Sequence, residues 1–504
     1  MSSSATPKSK LSFRLNQFKN FTKVFLKSKR AMVGVVILAG FAVVALGAPL
    51  FTPLSPYDRY QAGDYAYPIW WKYLTGHSET YNENFELVAN PGFKTLATLQ
   101  PTQWDFYAQD TDSIDLLWNG SLGSEISGPG CAQIVYERPG IVPRGAVIAN
   151  LTKTFYFPST SAPKRFAANM TLKLEGIESL TNILVNSFIT IESNRTNIWV
   201  VYRTNSSDWM MPQPSMDSYD AQLRKFISGD ITIDASKAIF TQPGNYTFGV
   251  EVTFLDEKAP PAYAAVYIDD LNLRFYGNSF GWLGTNHEGR DLFSQLIYGA
   301  RISLFVGLLS AVISVVFGLV IGIVSGYVGG VVDDITMRLT DALLVIPGLP
   351  LLLVLVAVLG SSIWNLIMVI GLLGWMGFAR TVRSQTLSLK ERPFIEAARA
   401  AGAGTTHIVT THILPNVMTL VYVSLALSVP SAILSEAALS YLGLFDPLVI
   451  SWGRMLYDVQ ANQGVDKPWW IVPPGVSIAL ISLSFILLGY ALDEVLNPKL
   501  RQRR

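Results

Sequence analysis

The chain has 504 residues, of which 50% are hydrophobic and 15% are charged, and its mean hydropathy is +0.32. This composition is too apolar for a soluble protein of this length and indicates several membrane spans. The 38 Lys and Arg residues nearly balance the 37 Asp and Glu residues, so the net charge gives no indication of a nucleic-acid partner, and the single cysteine, Cys131, excludes a disulfide within the chain.

The chain begins with a basic segment followed by an apolar run. Residues 1–30 contain eight Lys and Arg and no acidic residue, and residues 31–51 form an apolar run about long enough to cross a bilayer. A cleaved signal peptide is the alternative, but the leader is long and the apolar run exceeds a usual signal core. We therefore predict a cytoplasmic segment at 1–30 and a retained transmembrane helix at 31–51.

Residues 52–280 contain no apolar run of span length and are rich in Asn, Ser, Thr, Pro and aromatic residues. This composition predicts a folded extracytoplasmic domain. Segments of its second half alternate apolar and polar residues, which predicts an antiparallel β-sandwich preceded by a less regular stretch. The alternating segments are 170–175, 197–203, 231–234 and 246–254.

Six Asn-x-Ser/Thr sequons lie in this domain, where composition alone predicts about two. They begin at Asn119, Asn150, Asn169, Asn194, Asn205 and Asn245. Their number indicates a glycosylated outer surface. The alternative is that a turn-rich β domain is rich in these residue types in any case.

Apolar runs return after the insert and predict five more spans, which makes six in total. The runs lie at 302–327, 339–359, 363–379, 417–439 and 471–490. An even number of spans returns the carboxyl end to the cytoplasm, where four basic residues lie within 499–504, and the basic loop at 380–412 falls on the same side. We predict a transmembrane domain at 281–492 and a cytoplasmic tail at 493–504.

The segment at 390–416 is longer than a simple connection between two spans requires. Pro393 suits the start of a helix, and Glu396 falls in the first turn, where the helix dipole favours an acid. Gly402 and Gly404 then end this helix. The small residues between Glu396 and Gly402 leave a low surface that another protein can approach closely.

A second short helix is expected to follow the two glycines. Thr405 or Thr406 can cap its amino end, and Pro415 is expected to break it before the next span begins. The loop is therefore predicted to hold two short helices joined by a turn.

These residues resemble the EAA loop of ABC importer permeases. The pattern is Glu396-Ala-Ala-x-x-x-Gly402 followed by His412-Ile-Leu-Pro415, a form similar to the dipeptide/oligopeptide branch. Further segments similar to that branch lie at 283–304, 439–444, 451–456 and 487–500. The resemblance covers the first span and about 282–500, and it does not extend to the insert.

The resemblance implies the six-helix type I ABC importer permease fold with the β domain inserted after the first helix. It also implies that the loop couples the chain to an ATPase, although an ordinary amphipathic connector is the alternative. The coupling residues so implied are Glu396, Ala397, Ala398, Arg399, Gly402, Thr406, His407, Leu414 and Pro415.

The partners implied are a second homologous permease subunit, two cytoplasmic ATPase subunits, an extracytoplasmic solute-binding protein and membrane lipid. The sequence has no Gly-x-x-x-x-Gly-Lys-Ser/Thr phosphate loop, so ATP and Mg are expected on the ATPase subunits and this chain is predicted not to be an enzyme. His407 and His412, five residues apart, are not expected to share a helical face, and no metal or cofactor site is predicted.

Polar and aromatic residues within the predicted spans are candidates for the translocation path, because polar groups at membrane depth usually face a cavity or another helix. The candidates are Asn365, Trp375, Ser431, Ser435 and Glu436. Pro347 and Pro350 indicate a kink rather than a contact with the transported solute.

Three functions remain open from the sequence. The first is import of short peptides, with this chain forming half of the path. The second is the same transporter type carrying oligosaccharides, nickel or another solute, and the third is a glycan-binding or receptor-docking surface protein. In the first two, the chain is a multi-pass protein of the plasma membrane with both termini cytoplasmic and residues 52–280 outside. The sequons, the absence of disulfides and the prokaryotic importer type together suggest an archaeal cell surface.

Overall fold

A computed structural model describes residues 25, 28–75, 80–88, 91–99, 103–191, 194–202, 208–211 and 216–496. The basic leader before residue 25, the sequon at Asn205 and the basic tail after residue 496 lie outside the described residues. The chain divides into two compact units. One unit comprises Met1–Asp58 and Leu292–Arg504, and the other comprises Arg59–Asp291.

The first unit is helical. Its helices are α1 (Lys29–Leu46), α2 (Ala48–Phe51), α6 (Leu292–Val328), α7 (Gly330–Val345), α8 (Gly348–Leu359), α9 (Ile363–Gly374), α10 (Met376–Lys390), α11 (Pro393–Ala400), α12 (Thr405–Ile408), α13 (Leu414–Tyr441), α14 (Trp452–Ala461) and α15 (Pro468–Leu496). The helices α3 (Trp71–Thr75), α4 (Ala221–Ser228) and α5 (Ala235–Ile239) belong to the second unit.

Five helices of the described chain are long and apolar enough to cross a membrane, and a bent pair makes up to six. The five are Lys29–Leu46, Leu292–Val328, Ile363–Lys390, Thr405–Tyr441 and Pro468–Leu496. Helices α9 and α10 are counted together here because only Trp375 separates them. The last four of these helices extend beyond the apolar runs that predicted them, since helices continue into the polar surroundings of a membrane core about 30 Å thick. The first span, predicted at 31–51, instead ends at Leu46, and α2 follows as a separate short helix.

The bent pair consists of α7 and α8, which meet at 93°. Pro347 causes the break: it has no amide hydrogen to continue α7, and it restricts the preceding Ile346 to extended backbone, with φ −73° and ψ 129°. The apolar run at 339–359 therefore spans two helices, and the kink expected at Pro347 is observed.

Helices α6 and α10 approach each other closely along a row of glycines. Gly318, Gly322 and Gly326 recur every four residues of α6, so they share one face. A Cβ atom added at Gly322 would lie 2.6 Å from the carbonyl oxygen of Ala379, and one added at Gly318 or Gly326 would lie 2.9 Å from a backbone carbonyl oxygen. Small residues at such an interface let two membrane helices pack backbone to backbone.

The second unit consists of two five-stranded antiparallel sheets. Its strands are β1 (Phe85–Glu86), β2 (Asp105–Ala108), β3 (Ile114–Asn119), β4 (Cys131–Arg138), β5 (Gly145–Phe157), β6 (Arg165–Glu175), β7 (Asn182–Ile191), β8 (Asn194–Tyr202), β9 (Gly244–Asp256) and β10 (Ala262–Tyr276). One sheet has the order β1-β10-β4-β3, with β6 also paired to β10, and the other has the order β2-β5-β9-β7-β8.

The two sheets pack face to face through aromatic side chains. The rings of Tyr136 on β4 and Phe254 on β9 stack with centroids 5.2 Å apart, and those of Phe155 on β5 and Phe275 on β10 lie 5.6 Å apart. All four side chains are buried. This arrangement is the sandwich that the alternating segments predicted.

Two expectations for this unit are wrong. Segment 231–234 is a turn rather than a strand, because the Asp230 carboxylate accepts a hydrogen bond from the amide of Thr232 and Asp234 caps α5. The stretch ahead of residue 170 is not irregular, since it supplies β1 to β5 and the start of β6. Strands β4 and β5 do bury alternate residues, but some of the buried positions carry small or charged side chains, Ala132, Ala149 and Arg138, so the apolar alternation is weak in the sequence.

A buried ion pair also joins the two sheets. Arg138, at the end of β4, donates hydrogen bonds to Asp256, at the end of β9, and the hydroxyl of Tyr136 donates to the same carboxylate at 2.6 Å. Arg138 further donates to the carbonyl oxygens of Lys258 and Pro260. The guanidinium is thus satisfied by several acceptors, as a buried charge requires.

Candidate functional site

The predicted coupling loop begins with the short helix α11, called the coupling helix below. Pro393 is its first residue, where a missing amide hydrogen costs nothing, and Glu396 lies in the first turn. After Ala401 the backbone of Gly402 takes a φ of +84°, a left-handed conformation that residues with a side chain rarely adopt. The start of this helix and its termination at Gly402 match the sequence interpretation.

One side chain anchors this helix to the helical unit. Ile395 is fully buried in a cluster that contains Val382 and Leu389 of α10, Ile323 of α6 and Val417 of α13. Full burial of such a side chain contributes about 1.5–3 kcal/mol. The coupling helix is therefore packed firmly onto the ends of three long helices.

The rest of the helix and the turn after it are exposed. The exposed residues are Glu396, Ala397, Arg399, Gly402, Thr406, His407 and Pro415, while Ala398 and Leu414 are half-buried. Next to the anchor, Phe394 keeps 45% of its surface exposed, which is unusual for a large aromatic residue. The residues expected to couple thus form one low surface with an aromatic side chain at its edge.

The second part of the loop differs from the prediction. Neither Thr405 nor Thr406 caps the following helix, whose N-cap is Gly404 without a side-chain hydrogen bond. This helix is also not a separate element, because α12 continues through a π-helical turn, Val409–Ile413, into α13. Pro415 is the second residue of α13 and does not break the helix. The proline has no amide hydrogen, and the π turn just before it is where the chain leaves ordinary α-helical bonding.

The prediction that His407 and His412 do not share a helical face is wrong, and the π turn is the reason. A π turn bonds residues five apart, so His407 and His412 come to the same side, with ring centroids 6.0 Å apart. The ring of Phe394 lies 6.1 Å from that of His412. Among the described residues no group of three or more His, Cys, Asp or Glu side chains is placed to hold a metal ion.

A cavity of about 280 Å³, called the serine cavity below, lies in the helical unit. Serine hydroxyls from two helices line it, and its other walls are apolar. The serines are Ser310 and Ser314 of α6 and Ser428, Ser431 and Ser435 of α13. Among the residues that the structure describes, no Asp, Glu, Lys, Arg or His side chain lines this cavity.

Two of the five path candidates, Ser431 and Ser435, line this cavity, and the other three do not. Asn365 donates from Nδ2 to the carbonyl oxygens of Leu359 and Gly360, at 2.7 and 3.1 Å, and so closes the end of α8. Trp375 is buried at the junction of α9 and α10.

Glu436 is buried and accepts hydrogen bonds from two serines. Its Oε1 atom accepts hydrogen bonds from the hydroxyls of Ser440, at 2.7 Å, and Ser451, at 2.6 Å. Ser451 is in turn the N-cap of α14. Glu436 therefore ties α13 to the start of α14 rather than lining the serine cavity.

The serines of α6 were missed from the sequence. Ser310 and Ser314 are one helical turn apart, and this spacing within an apolar run was the available signal. A lone serine in a span can also bond to the backbone of its own or a neighbouring helix, as Ser310 does to the carbonyl oxygen of Ile367 at 3.2 Å. Only the packed structure shows which hydroxyls converge.

Five of the six sequons lie in the described residues. Asn169, Asn194 and Asn245 are exposed, whereas Asn119 and Asn150 are half-buried. The Oδ1 atom of Asn119 accepts hydrogen bonds from the amide and hydroxyl of Ser121. Exposure is compatible with modification at three of these positions, and glycosylation stays a prediction.

Comparison with known families finds two matches. Residues 318–502 match the family described as binding-protein-dependent transport system inner membrane component, and residues 16–68 match the N-terminal TM domain of oligopeptide transport permease C. The two matched ranges lie on either side of most of the β unit.

Comparison with curated proteins finds permeases. Over 226 residues the chain is 38% identical to the oligopeptide transport system permease protein OppC of Bacillus subtilis (strain 168), covering 44% of this chain and 72% of that protein. Over 242 residues it is 39% identical to the glutathione transport system permease protein GsiD of Escherichia coli O1:K1 / APEC, covering 48% of this chain and 80% of that protein.

Among solved structures, the chain is similar to an inward-facing MetNI methionine ABC transporter. The identity is 18%, the match covers 39% of this chain and 96% of that chain, and the TM-score is 0.32. This score is too low to support a shared fold on its own.

Proposed function

Because this chain belongs to the dipeptide/oligopeptide family of ABC importer inner-membrane permeases, we propose that it is one of two permease subunits that form the path of an ATP-driven importer for short peptides. The two subunits would each supply half of the path. The relatives' cargoes, oligopeptides and glutathione, are both peptides. They support this substrate class over oligosaccharides, nickel or another solute.

The observation that carries the proposal is the exposed surface of the coupling helix. Ile395 fixes the helix to α10, while Glu396, Ala397 and Arg399 remain exposed beside Phe394. A short helix anchored on one face and unpartnered on the other suits a cleft in another protein. We propose that two cytoplasmic ATPase subunits supply this cleft, one for each permease, and that they hold the ATP and Mg.

The serine cavity is proposed as this chain's part of the path. A path that carries peptides of many sequences must bind them weakly, and hydroxyl groups can exchange hydrogen bonds with any peptide backbone. A charged wall would instead select side chains of opposite sign. The cavity's hydroxyl lining without charged groups therefore fits a varied peptide cargo.

The remaining assignments complete the proposal. An extracytoplasmic solute-binding protein delivers the peptide, lipid surrounds the long helices, both termini lie in the cytoplasm, and the β unit lies outside. A glycan-binding surface protein remains the alternative from another class. A protein of that kind would not need a helix that is anchored on one face and exposed on the other.

The direct test replaces two residues of the coupling loop in the reconstituted complex with its ATPase partners and measures ATP hydrolysis with and without peptide. Gly402→Ala forces a side chain into the left-handed conformation, at a cost of about 1–2 kcal/mol, and should displace the helix from its cleft. Glu396→Arg reverses the charge on the exposed face. Both changes should reduce peptide-stimulated hydrolysis.

Gly404→Ala is the matched control, because Gly404 has an ordinary φ of −71° and no atom within 4 Å of the added Cβ. It should leave stimulation unchanged. Full stimulation in both Gly402→Ala and Glu396→Arg would refute the coupling assignment.

A further inference from the structure

Helix α7 contacts α10 and the residues next to it at three points. Asp333 pairs with Arg383, Asp341 pairs with Arg380, and Leu343 packs on the buried cluster that includes Trp375. Residue numbers rise along α7 as they fall along α10. The two helices are thus joined by charge at one end and by apolar packing at the other.

The two ion pairs differ in strength. Arg383 donates from both Nε and Nη2 to the two carboxylate oxygens of Asp333, and the hydroxyl of Ser325 donates to the same carboxylate. The Asp333 and Arg383 side chains are 13% and 33% exposed, whereas Asp341 and Arg380 are 58% and 49% exposed. A two-pronged, half-buried pair holds its partners together more firmly than an exposed pair, which contributes roughly 0–1 kcal/mol.

The far end of α7 forms a wall of the serine cavity. Leu343 and Leu344 line the cavity, and the chain then bends by 93° into α8, where Gly348 and Leu351 line it again. A shift of α7 along α10 therefore changes the shape of the cavity directly.

The other partner, α10, carries the coupling helix. Ile395 is buried against Val382 and Leu389, which flank Arg383 on the same helix. Movement of the coupling helix is transmitted to α10 through this packing. Arg383 is the point at which it can pass to α7.

We propose that Asp333 and Arg383 are a positioning pair that makes α7 follow α10, so that movement of the coupling helix reshapes the serine cavity. This inference rests on the proposed function and adds the route by which ATP hydrolysis reaches the path. The pair does not contact the transported solute.

The test uses the full complex with its ATPase partners in proteoliposomes and measures the ratio of peptide-stimulated to basal ATP hydrolysis. Asp333→Asn keeps the size of the side chain and Arg383→Gln shortens it to a neutral amide, and each removes the charge attraction. Each should lower the ratio about five- to tenfold while basal hydrolysis and copurification with the ATPase persist. The exchanged variant, Asp333→Arg with Arg383→Asp, should recover part of the ratio, which a merely structural role would not produce.

Asp341→Asn is the matched control on the same two helices, and it should leave the ratio unchanged because its pair is exposed. An unchanged ratio in Asp333→Asn and Arg383→Gln overturns the proposal, as does an equal loss in Asp341→Asn. If these variants fail to assemble, Arg383→Lys, which keeps the charge but loses the two-pronged contact, is judged by the same criteria. A wild-type complex that peptide does not stimulate would instead refute the proposed function itself.

Discussion

Among single residues, the neighbouring side chains of Phe394 and Ile395 have different roles. Ile395 is fully buried beneath the coupling helix, and Phe394, one position earlier, keeps nearly half of its surface exposed. Burial of the first contributes to the stability of the unit, whereas the second, whose ring lies 6.1 Å from that of His412 at the surface, contributes little to it. The two positions therefore separate folding from partner binding.

Ile395→Ala should lower the free energy of unfolding of the helical unit by about 2–5 kcal/mol, because it leaves a cavity in a packed cluster. Phe394→Ala should leave the unfolding temperature unchanged and reduce copurification of the ATPase. Thermal unfolding and a pull-down on the same preparations measure both effects. Equal destabilisation by the two variants would contradict the assignment.

The Asp256 carboxylate makes the β unit sensitive to acid. Burial acts to raise its pKa, but the hydrogen bonds from Arg138 and Tyr136 outweigh burial and hold the pKa below its usual value. The stabilisation is therefore complete above the unfolded pKa of about 3.9 and is lost as the pH falls through the lowered folded value.

Asp256→Asn should destabilise the β unit at neutral pH and flatten the fall of its unfolding temperature between about pH 5 and pH 2. Circular dichroism of the full chain, followed at a wavelength dominated by strands, measures this slope. An equally steep acid decline in the variant and the wild type would show that Asp256 is not its source.

At the scale of elements, the close packing of α6 on α10 depends on glycine. A Cβ at Gly322 would meet the backbone of Ala379 and the side chain of Val382 at less than 3 Å, and a backbone contact cannot move aside cheaply. Gly40 of α1, by contrast, has no atom within 4 Å of an added Cβ.

Gly322→Ala should therefore destabilise the helical unit by about 1–3 kcal/mol. Gly40→Ala, the matched control in another apolar helix, should be neutral or slightly stabilising, since alanine favours a helix by up to about 1 kcal/mol. The unfolding temperature of the purified complex distinguishes the two. Equal tolerance of both substitutions would argue against backbone-to-backbone packing of α6 and α10.

Residues that act through their own backbone were predictable from the sequence. Pro393 starts a helix, Gly402 ends it, and Pro347 bends the chain, because each restriction is local to the residue. Segments in which side-chain hydrogen bonds compete with regular secondary structure were not predictable. Segment 231–234 has the alternation of a strand, but the caps offered by Asp230 and Asp234 turn it into a loop.

The candidate site likewise contains residues that the sequence predicted and residues whose arrangement it did not predict. The coupling helix could be found from its motif, and Ser431 and Ser435 from their polarity within a span. The approach of His407 to His412 could not, because it depends on a π turn that no spacing rule indicates. The roles of Asn365 and Glu436 depend on partners distant in sequence or beyond the helix end.

At the scale of the whole molecule, a helical unit built from the two ends of the chain is interrupted by a β unit with its own core. The helical unit carries both the serine cavity and the coupling helix, so the proposed path and the proposed coupling surface lie in the same unit. Glycosylation of its sequons and an archaeal source stay predictions from the sequence.

The native cysteine permits a clean labelling experiment on the whole molecule. Cys131 is buried in the β unit, and burial raises its thiol pKa to about 12, so it reacts slowly at neutral pH. A cysteine introduced at the exposed position of Ala397 would then be the reactive thiol of the described chain.

Photo-crosslinking from that position, Ala397→Cys carrying a benzophenone label, tests whether the coupling helix meets an ATPase subunit in the cytoplasm. In membranes that contain the whole importer, we expect labelling only from the cytoplasmic side and a crosslink to an ATPase subunit that changes in yield when ATP is added. Labelling from the outside, or the absence of any ATPase subunit from the crosslinked products, would contradict it.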